Sequence, residues 1–356
     1  MKAVQLTGPR RFEYVDIPDP TPDEGQVVLE IEHVSVCGSD THLNYEPVLP
    51  EEAYPLNPGM PCHEIAGTIV ESRDPRYRVG SRAIVLPDRS RAGTLASGGL
   101  AEYIASSKVI PIPDHGGTEE WLMCQPSGTV LYATREWGNV AGKRVAVLGQ
   151  GAIGLSFTML AELQGARQVI GIDPLEYRLD KARDLGATDV INPGTEESFA
   201  AVEELTGGAG VDVVVDASGA PEGLNQAVQL VNRNGLVIGF SLVSATDPIS
   251  FRHMDWMRKE VRLAATLSGS SVDPTGAIAD MVALRERGWI DPARLITHRR
   301  GWADIPEAYE MYTDRADNLI KVVMAVKGSS SNNHAASAAA AAAAATSERI
   351  AAPRVT

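Results

Sequence analysis

Cysteine is scarce in this chain of 356 residues, which contains three. That number excludes the disulfide framework of small secreted proteins. Positive charge is in deficit: 32 Lys and Arg against 46 Asp and Glu leave a formal net charge of −14. A phosphate backbone selects a basic surface, so no nucleic-acid partner is expected. Long apolar runs are missing too. None approaches the roughly 18 residues that a membrane-spanning helix needs, and no membrane partner is expected. The first residues, Met1-Lys2-Ala3-Val4-Gln5-Leu6, lack the basic-then-apolar order of a signal peptide. A cytoplasmic location is the expectation.

What is present is the composition of a globular protein, 44% hydrophobic and 22% charged. The length exceeds one ordinary core, so two domains are expected. The first hundred residues read as short strands and loops. Segments 2–7 and 27–36 are rich in β-formers, separated by Pro18, Pro20 and Pro22. Glu64–Ser72 and Arg82–Leu86 continue the pattern. From about Val140 strands alternate with helices: Arg144–Leu148, helix 153–163, strand 169–173, helix 176–185, strand 189–192, strand 211–217, helix 222–231 and strand 236–240. Such alternation predicts a doubly wound α/β domain, a parallel sheet with helices on both faces. Helices are then expected at 277–287 and 305–312, and a last strand at 319–326. Residues 328–356 open with Gly-Ser-Ser-Ser-Asn-Asn and contain the alanine run 338–345. They read as a low-complexity, disordered tail without a role.

The strand ending at Leu148 is followed by Gly149-Gln150-Gly151-Ala152-Ile153-Gly154 and a helix. In that context the three glycines read as a dinucleotide turn: one for the bend, one for backbone approach to a diphosphate, one for helix packing. The diphosphate would rest on the helix N-terminus, where free N–H groups favour anions. Asp173 ends the next strand, 19 positions past Gly154. A carboxylate there binds a ribose diol and repels a 2′-phosphate, which predicts NAD rather than NADP. Arg178 is close in sequence and pulls the other way, since its charge suits a phosphate.

A second group of residues lies in the first quarter. Cys37-Gly38-Ser39-Asp40-Thr41-His42 and Cys62-His63-Glu64 offer a thiolate, an imidazole and a carboxylate, a mixture that suits zinc. Ser39 and His42 add groups able to pass a proton. Cys37 and His63 are 26 residues apart, a spacing that is not diagnostic by itself.

Taken together, Cys37-Gly38-Ser39-Asp40-x-His42, His63-Glu64-x-x-Gly67, Gly149-x-Gly151-x-x-Gly154 and Asp173 resemble the zinc-dependent medium-chain dehydrogenase/reductase superfamily. Gly99-x-Ala101-Glu102-Tyr103 and Asp216-Ala217-Ser218-Gly219 add to the likeness, which covers nearly all of residues 1–327. The polyol, sugar and threonine dehydrogenase branch is most similar. The resemblance implies a β-rich, GroES-like catalytic domain from residues 1–122 and 265–327, with a Rossmann domain at 123–264. It implies Cys37 and His63 as zinc ligands, with Glu64 a direct ligand or one that alternates with water. Gln125 stands where relatives carry Cys or Glu, and is expected near the metal. Cys62 stands where relatives carry Gly, and is expected to pack inertly. The segment 87–98 lacks the four cysteines that hold a structural zinc in many relatives, so one catalytic zinc and no structural zinc are expected.

By the same resemblance, zinc would ease loss of the proton from an alcohol. Ser39 would accept it and His42 would pass it on through the nicotinamide ribose, as a hydride moves to NAD. Thr129 would lie against the nicotinamide. Asp40, Asn44, Tyr45 and Glu102 are the polar candidates for substrate contacts. With aromatics at only 5%, a hydroxylated small molecule such as a polyol, sugar or (amino)cyclitol is expected rather than a long aliphatic alcohol. A threonine-type amino-alcohol dehydrogenase and a non-catalytic NAD-binding protein are the alternatives. A homodimer or homotetramer is expected, joined through the cofactor sheet, with 236–240 and 249–251 as its edges.

Overall fold

The structure, a computed structural model, describes residues 1–89, 95–243, 248–267 and 271–326. The expected tail at 328–356 lies outside the described residues, as does the middle of the segment 87–98.

Two sheets carry the molecule. The first is antiparallel for the most part. It is built from β3 (Val27–Ser35), β4 (Glu64–Ser72), β5 (Arg82–Leu86), β6 (Tyr103–Ser106) and β7 (Lys108–Pro111), after a hairpin of β1 (Lys2–Gly8) and β2 (Arg11–Asp16). Two strands from the far end of the chain, β14 (Ile296–Gly301) and β15 (Lys321–Ala325), complete it, with β15 antiparallel to β3. The C-terminal return inferred from the sequence is therefore a strand pairing. Its core contains Leu29, Ile31, Ile65, Tyr309 and Met324.

The second sheet is parallel, in the order β10 (Asp189–Ile191), β9 (Gln168–Ile172), β8 (Arg144–Leu148), β11 (Val211–Asp216), β12 (Val231–Gly239), β13 (Arg262–Ala265). In units of their order along the chain this is 3-2-1-4-5-6, the doubly wound arrangement, with its ligand crevice where the order reverses, between β8 and β11. Strands such as Arg-Val-Ala-Val-Leu are apolar nearly throughout because helices cover both faces. Those helices include α4 (Ala152–Leu163), α5 (Glu176–Asp184), α6 (Ser198–Thr206), α7 (Gly223–Leu230) and α8 (His253–Lys259).

The remaining helices link the sheets. A short α1 (Gly38–Asp40) runs into a π-turn at Thr41–Tyr45, and α2 (Thr118–Leu122) leads into α3 (Cys124–Thr134). Helix α9 (Gly276–Glu286) packs on α3 so closely that a Cβ on Gly128 would stand 2.6 Å from Ile278 Cα. Helix α10 (Ile305–Asp314) precedes β15.

One expectation is corrected. Residues 236–240 are not a sheet edge: β12 lies between β11 and β13, and 249–251 form no strand. Among the described residues the edge on that side is β13, with β10 at the other, and β13 was missed in the sequence. It is only four residues long and begins with a charge, so it lacks the apolar run that marks a buried strand.

Candidate active site

The register of the antiparallel sheet explains how a 26-residue gap closes. Ser35 at the end of β3 pairs with Glu64 at the start of β4. Continuing past that pair brings Cys37 beside His63. The ligand atoms of Cys37, His63 and Glu64 lie within 4.8 Å of one another.

Asp40 ties these donors together. Its Oδ1 lies 2.7 Å from His63 Nδ1, and its Oδ2 accepts from the Cys37 backbone N–H at 3.0 Å. With Nδ1 engaged, the other ring nitrogen of His63 is left for a metal, the arrangement in which a carboxylate orients a ligating imidazole. Burial opposes charge on the ring, but Asp40 and Cys37 outweigh it and hold His63 well above its ordinary pKa. A field that keeps a proton on imidazole also favours a cation in its place. The donor set thus fits a zinc ion. The Ser39 hydroxyl donates to Cys37 Sγ at 3.2 Å.

Glu64 is fully buried and held by two partners. Ser35 Oγ donates to it, and Lys321 Nζ lies 2.7 Å away. Lys321 also donates to Val36 O at 2.7 Å. It is brought there by β15: Val323 pairs with Ser35, which places Lys321 level with Cys37. Burial lowers its pKa, but Glu64, Tyr312 and Cys37 together outweigh that and raise it overall. A buried carboxylate thus has a buried ammonium to balance it.

The other expected residues divide. Asp40 is corrected as a substrate contact, because both its oxygens serve Cys37 and His63 and the residue is buried. Tyr45 is corrected as well: its ring is buried in a stack with Phe12 and Tyr309. The Glu102 carboxylate accepts from the Lys2 backbone N–H at 2.6 Å, which fastens β1 rather than facing the donors. Asn44 stays near, 3.5 Å from Ser39 O. His42 is exposed, with Nδ1 3.2 Å from Glu46. Gln125 is buried on α3, and its amide has no hydrogen-bond partner among the described residues. Thr129, one turn further along the same face, is half-buried. Cys62 and Cys124 are buried; burial raises both thiols, Cys124 to about 12.

The glycine turn lies where β8 and β11 diverge. Gly149 has φ +83°, and a Cβ there would sit 2.6 Å from Ala217 O. A Cβ on Gly154 would overlap Gly149 O, so helix and turn meet only if both stay glycine. Gly151 caps α4, whose first residues are Ala152 and Ile153. Asp173 Oδ2 accepts from the Gln150 N–H at 2.7 Å and lies 3.4 Å from Arg178 Nη1. Gln150 itself was not singled out from the sequence. Its buried side chain bonds Val147 O and Thr158, stiffening the turn from behind.

Two family profiles match in tandem, the alcohol dehydrogenase GroES-like domain over residues 23–114 and the zinc-binding dehydrogenase family over residues 152–284. The chain belongs to the zinc-dependent medium-chain dehydrogenase/reductase superfamily. It is an oxidoreductase of the zinc-type alcohol dehydrogenases, with the GroES-like and Rossmann folds expected of them. It is 30% identical over 256 residues to the (R,R)-butanediol dehydrogenase of Bacillus subtilis, covering 64% of this chain and 74% of that one. The L-threonine 3-dehydrogenase of Pyrococcus furiosus is 29% identical over 352 residues, 92% of this chain and 99% of that one. A zinc-binding dehydrogenase from Sinorhizobium meliloti, solved with NADP, superposes with a TM-score of 0.77 at 25% identity, covering 91% and 99%. Membership of this superfamily and that neighbour support zinc and a nicotinamide dinucleotide as the cofactors.

Proposed function

We propose that the protein oxidises a secondary alcohol of a polyol, sugar or (amino)cyclitol to the ketone, with NAD as the hydride acceptor. The observation that carries this is the convergence of Cys37, His63 and Glu64 within 4.8 Å, organised by Asp40. Cys37 and His63 would hold a zinc ion, and the glycine turn with Asp173 a dinucleotide; the two groups would supply Lewis acidity toward the alcohol and a hydride acceptor. Ser39, whose hydroxyl is already at the donor cluster, receives the substrate proton. His42, one turn on and exposed, passes it to solvent. Gln125 contributes a neutral amide rather than a third anionic ligand, and Glu64 is balanced by Lys321. The chain then holds one zinc: with three cysteines in all, a separate four-thiolate site has no ligands.

The preference for NAD rests on Asp173. Arg178 is paired to that carboxylate, so its charge is engaged rather than offered to a 2′-phosphate. We keep a catalytic domain of residues 1–122 and 265–327 and a Rossmann domain of 123–264; the pairing of β15 with β3 and of β13 with β12 supports this division. No described helix is long and apolar enough to cross a membrane; the cytoplasm remains the proposed location. Pairing of β13 edges would join two copies.

A screen of polyols, aldoses, cyclitols and amino alcohols with NAD and NADP, followed by absorbance of the reduced cofactor, tests the proposal. Turnover with polyols and NAD is expected. Asp173→Ala should weaken NAD relative to NADP. The likeness to a threonine dehydrogenase favours a second reading, an amino-alcohol substrate; turnover confined to amino alcohols would establish it. Tight NAD binding without zinc or turnover would instead mark a non-catalytic protein.

A further inference from the structure

Two glycines border the cleft with no reason internal to the fold. Gly38 is not in the left-handed region, and the atoms nearest to a Cβ there are His42 Cδ2 and Tyr312 Oη, each at 3.9 Å. Gly151 has an ordinary φ of −71°, and its nearest atom is Arg178 Nη1, also at 3.9 Å. A Cβ would meet only ordinary contacts at either position. At the rim of a cleft such a glycine leaves the backbone open to a ligand. For Gly151 that is the dinucleotide. Gly38 carries the same signature at the other end of the cleft, next to Cys37.

Tyr312 stands at the Gly38 end, its hydroxyl 3.9 Å from where a Gly38 Cβ would be. It comes from α10, half-buried, and its hydroxyl has no hydrogen-bond partner among the described residues. Lys321 Nζ lies 6.0 Å from its ring centroid, but that ammonium is engaged by Glu64 and Val36 O. Burial pushes the phenol up to about 12, with Lys321 lowering it, Cys37 and Glu64 raising it and Arg178 lowering it. A phenol that stays protonated is a donor in search of an acceptor.

We propose that Tyr312 is a cofactor-positioning residue whose hydroxyl donates to the nicotinamide-side phosphate of the dinucleotide where it crosses the bare backbone of Gly38. The path runs from Gly151 and Arg178, past Tyr312, to Gly38 and Cys37. This inference rests on the dinucleotide reading above and adds to it a contact from the C-terminal helix, so that α10 holds the cofactor against the metal-binding loop.

The test is equilibrium binding, by fluorescence for NADH and by calorimetry for ADP and AMP. Tyr312→Phe keeps the ring and removes the donor. A hydrogen bond to a charged group corresponds to about tenfold or more in affinity. NADH and ADP, which both carry the second phosphate, should weaken by about that factor, while AMP should bind as to the unaltered protein. Gly38→Ala should also weaken NADH without lowering Tm, since its Cβ has ordinary room. Unchanged NADH and ADP affinity in Tyr312→Phe, or equal weakening of AMP, overturns the inference while the dinucleotide reading stands. Failure of the unaltered protein to bind NADH at all overturns that reading and this one together.

Discussion

Asp40 shows how one side chain converts a loop into a metal site. It reaches Cys37 through the backbone and His63 through the ring, so the two ligands that β3 and β4 bring near are also fixed in angle. Loss of such an orienting carboxylate typically lowers metal affinity about 10–100-fold. Asp40→Asn keeps the size and weakens the grip on His63, and zinc should leave it at correspondingly lower chelator concentration. Alkylation followed by mass spectrometry reads this directly. Cys37 is half-buried and its thiol becomes reactive as metal departs, whereas burial keeps Cys62 and Cys124 protonated and inert. One adduct, at Cys37, is expected in both proteins, appearing earlier in the variant; adducts on Cys62 would refute the arrangement. The donors themselves were readable from residue type. Asp40 was misread as a substrate contact because sequence shows which groups are polar, not which already have partners. Lys321 carried a signal that went unused: a lysine opening the apolar run Lys-Val-Val-Met-Ala is buried only if an anion meets it.

Elements with one unbroken physical signature were legible. Glu64–Ser72, Arg82–Leu86 and Arg144–Leu148 fall where apolar β-formers predicted them, because buried strands need such runs whatever their neighbours. Short or exposed elements were not. Strand β14 reads Ile-Thr-His-Arg-Arg-Gly and exists because β15 pairs with it. Helix α3 begins Cys-Gln-Pro-Ser-Gly, a poor helix former by propensity, and is sustained by packing on α4 and α9. The crossing with α9 depends on Gly128. Adding a methyl 2.6 Å from Ile278 Cα forces the helices apart. Overpacking of this kind costs about 1–3 kcal/mol, more than the gain in helix propensity of about 1 kcal/mol from Gly to Ala. Gly128→Ala should therefore lower Tm, and, because Gln125 and Thr129 ride on the same helix, should weaken NADH as well. A raised Tm would show that the crossing has slack.

At the scale of the molecule, two sheets share one chain that leaves the first sheet and returns to it. Among the contacts that tie them, Tyr177 of α5 donates to Leu319 O, and Arg294 reaches Asp184 at 2.9 Å. The alternation foretold the parallel sheet, but which strand would end that sheet depended on β13, whose pairing is tertiary. That edge bears on assembly. Among the described residues β13 has no pairing partner on its outer side, and Leu263 and Leu267 are 42% and 59% exposed. Isolated proteins blunt such edges with charge or cover, since exposed backbone invites another strand. Arg262 supplies one charge, yet the apolar side chains beside it gain by burial. Two copies related by a twofold axis would bury both edges in one continuous sheet. Leu263→Lys places an ammonium on each partner at the junction, and is solvent-exposed in a single chain. Light scattering at micromolar concentration should give a dimer or larger assembly for the unaltered protein and a lower mass for the variant, with the monomer's fold retained by circular dichroism. A mass unchanged by Leu263→Lys would remove β13 as the joining edge.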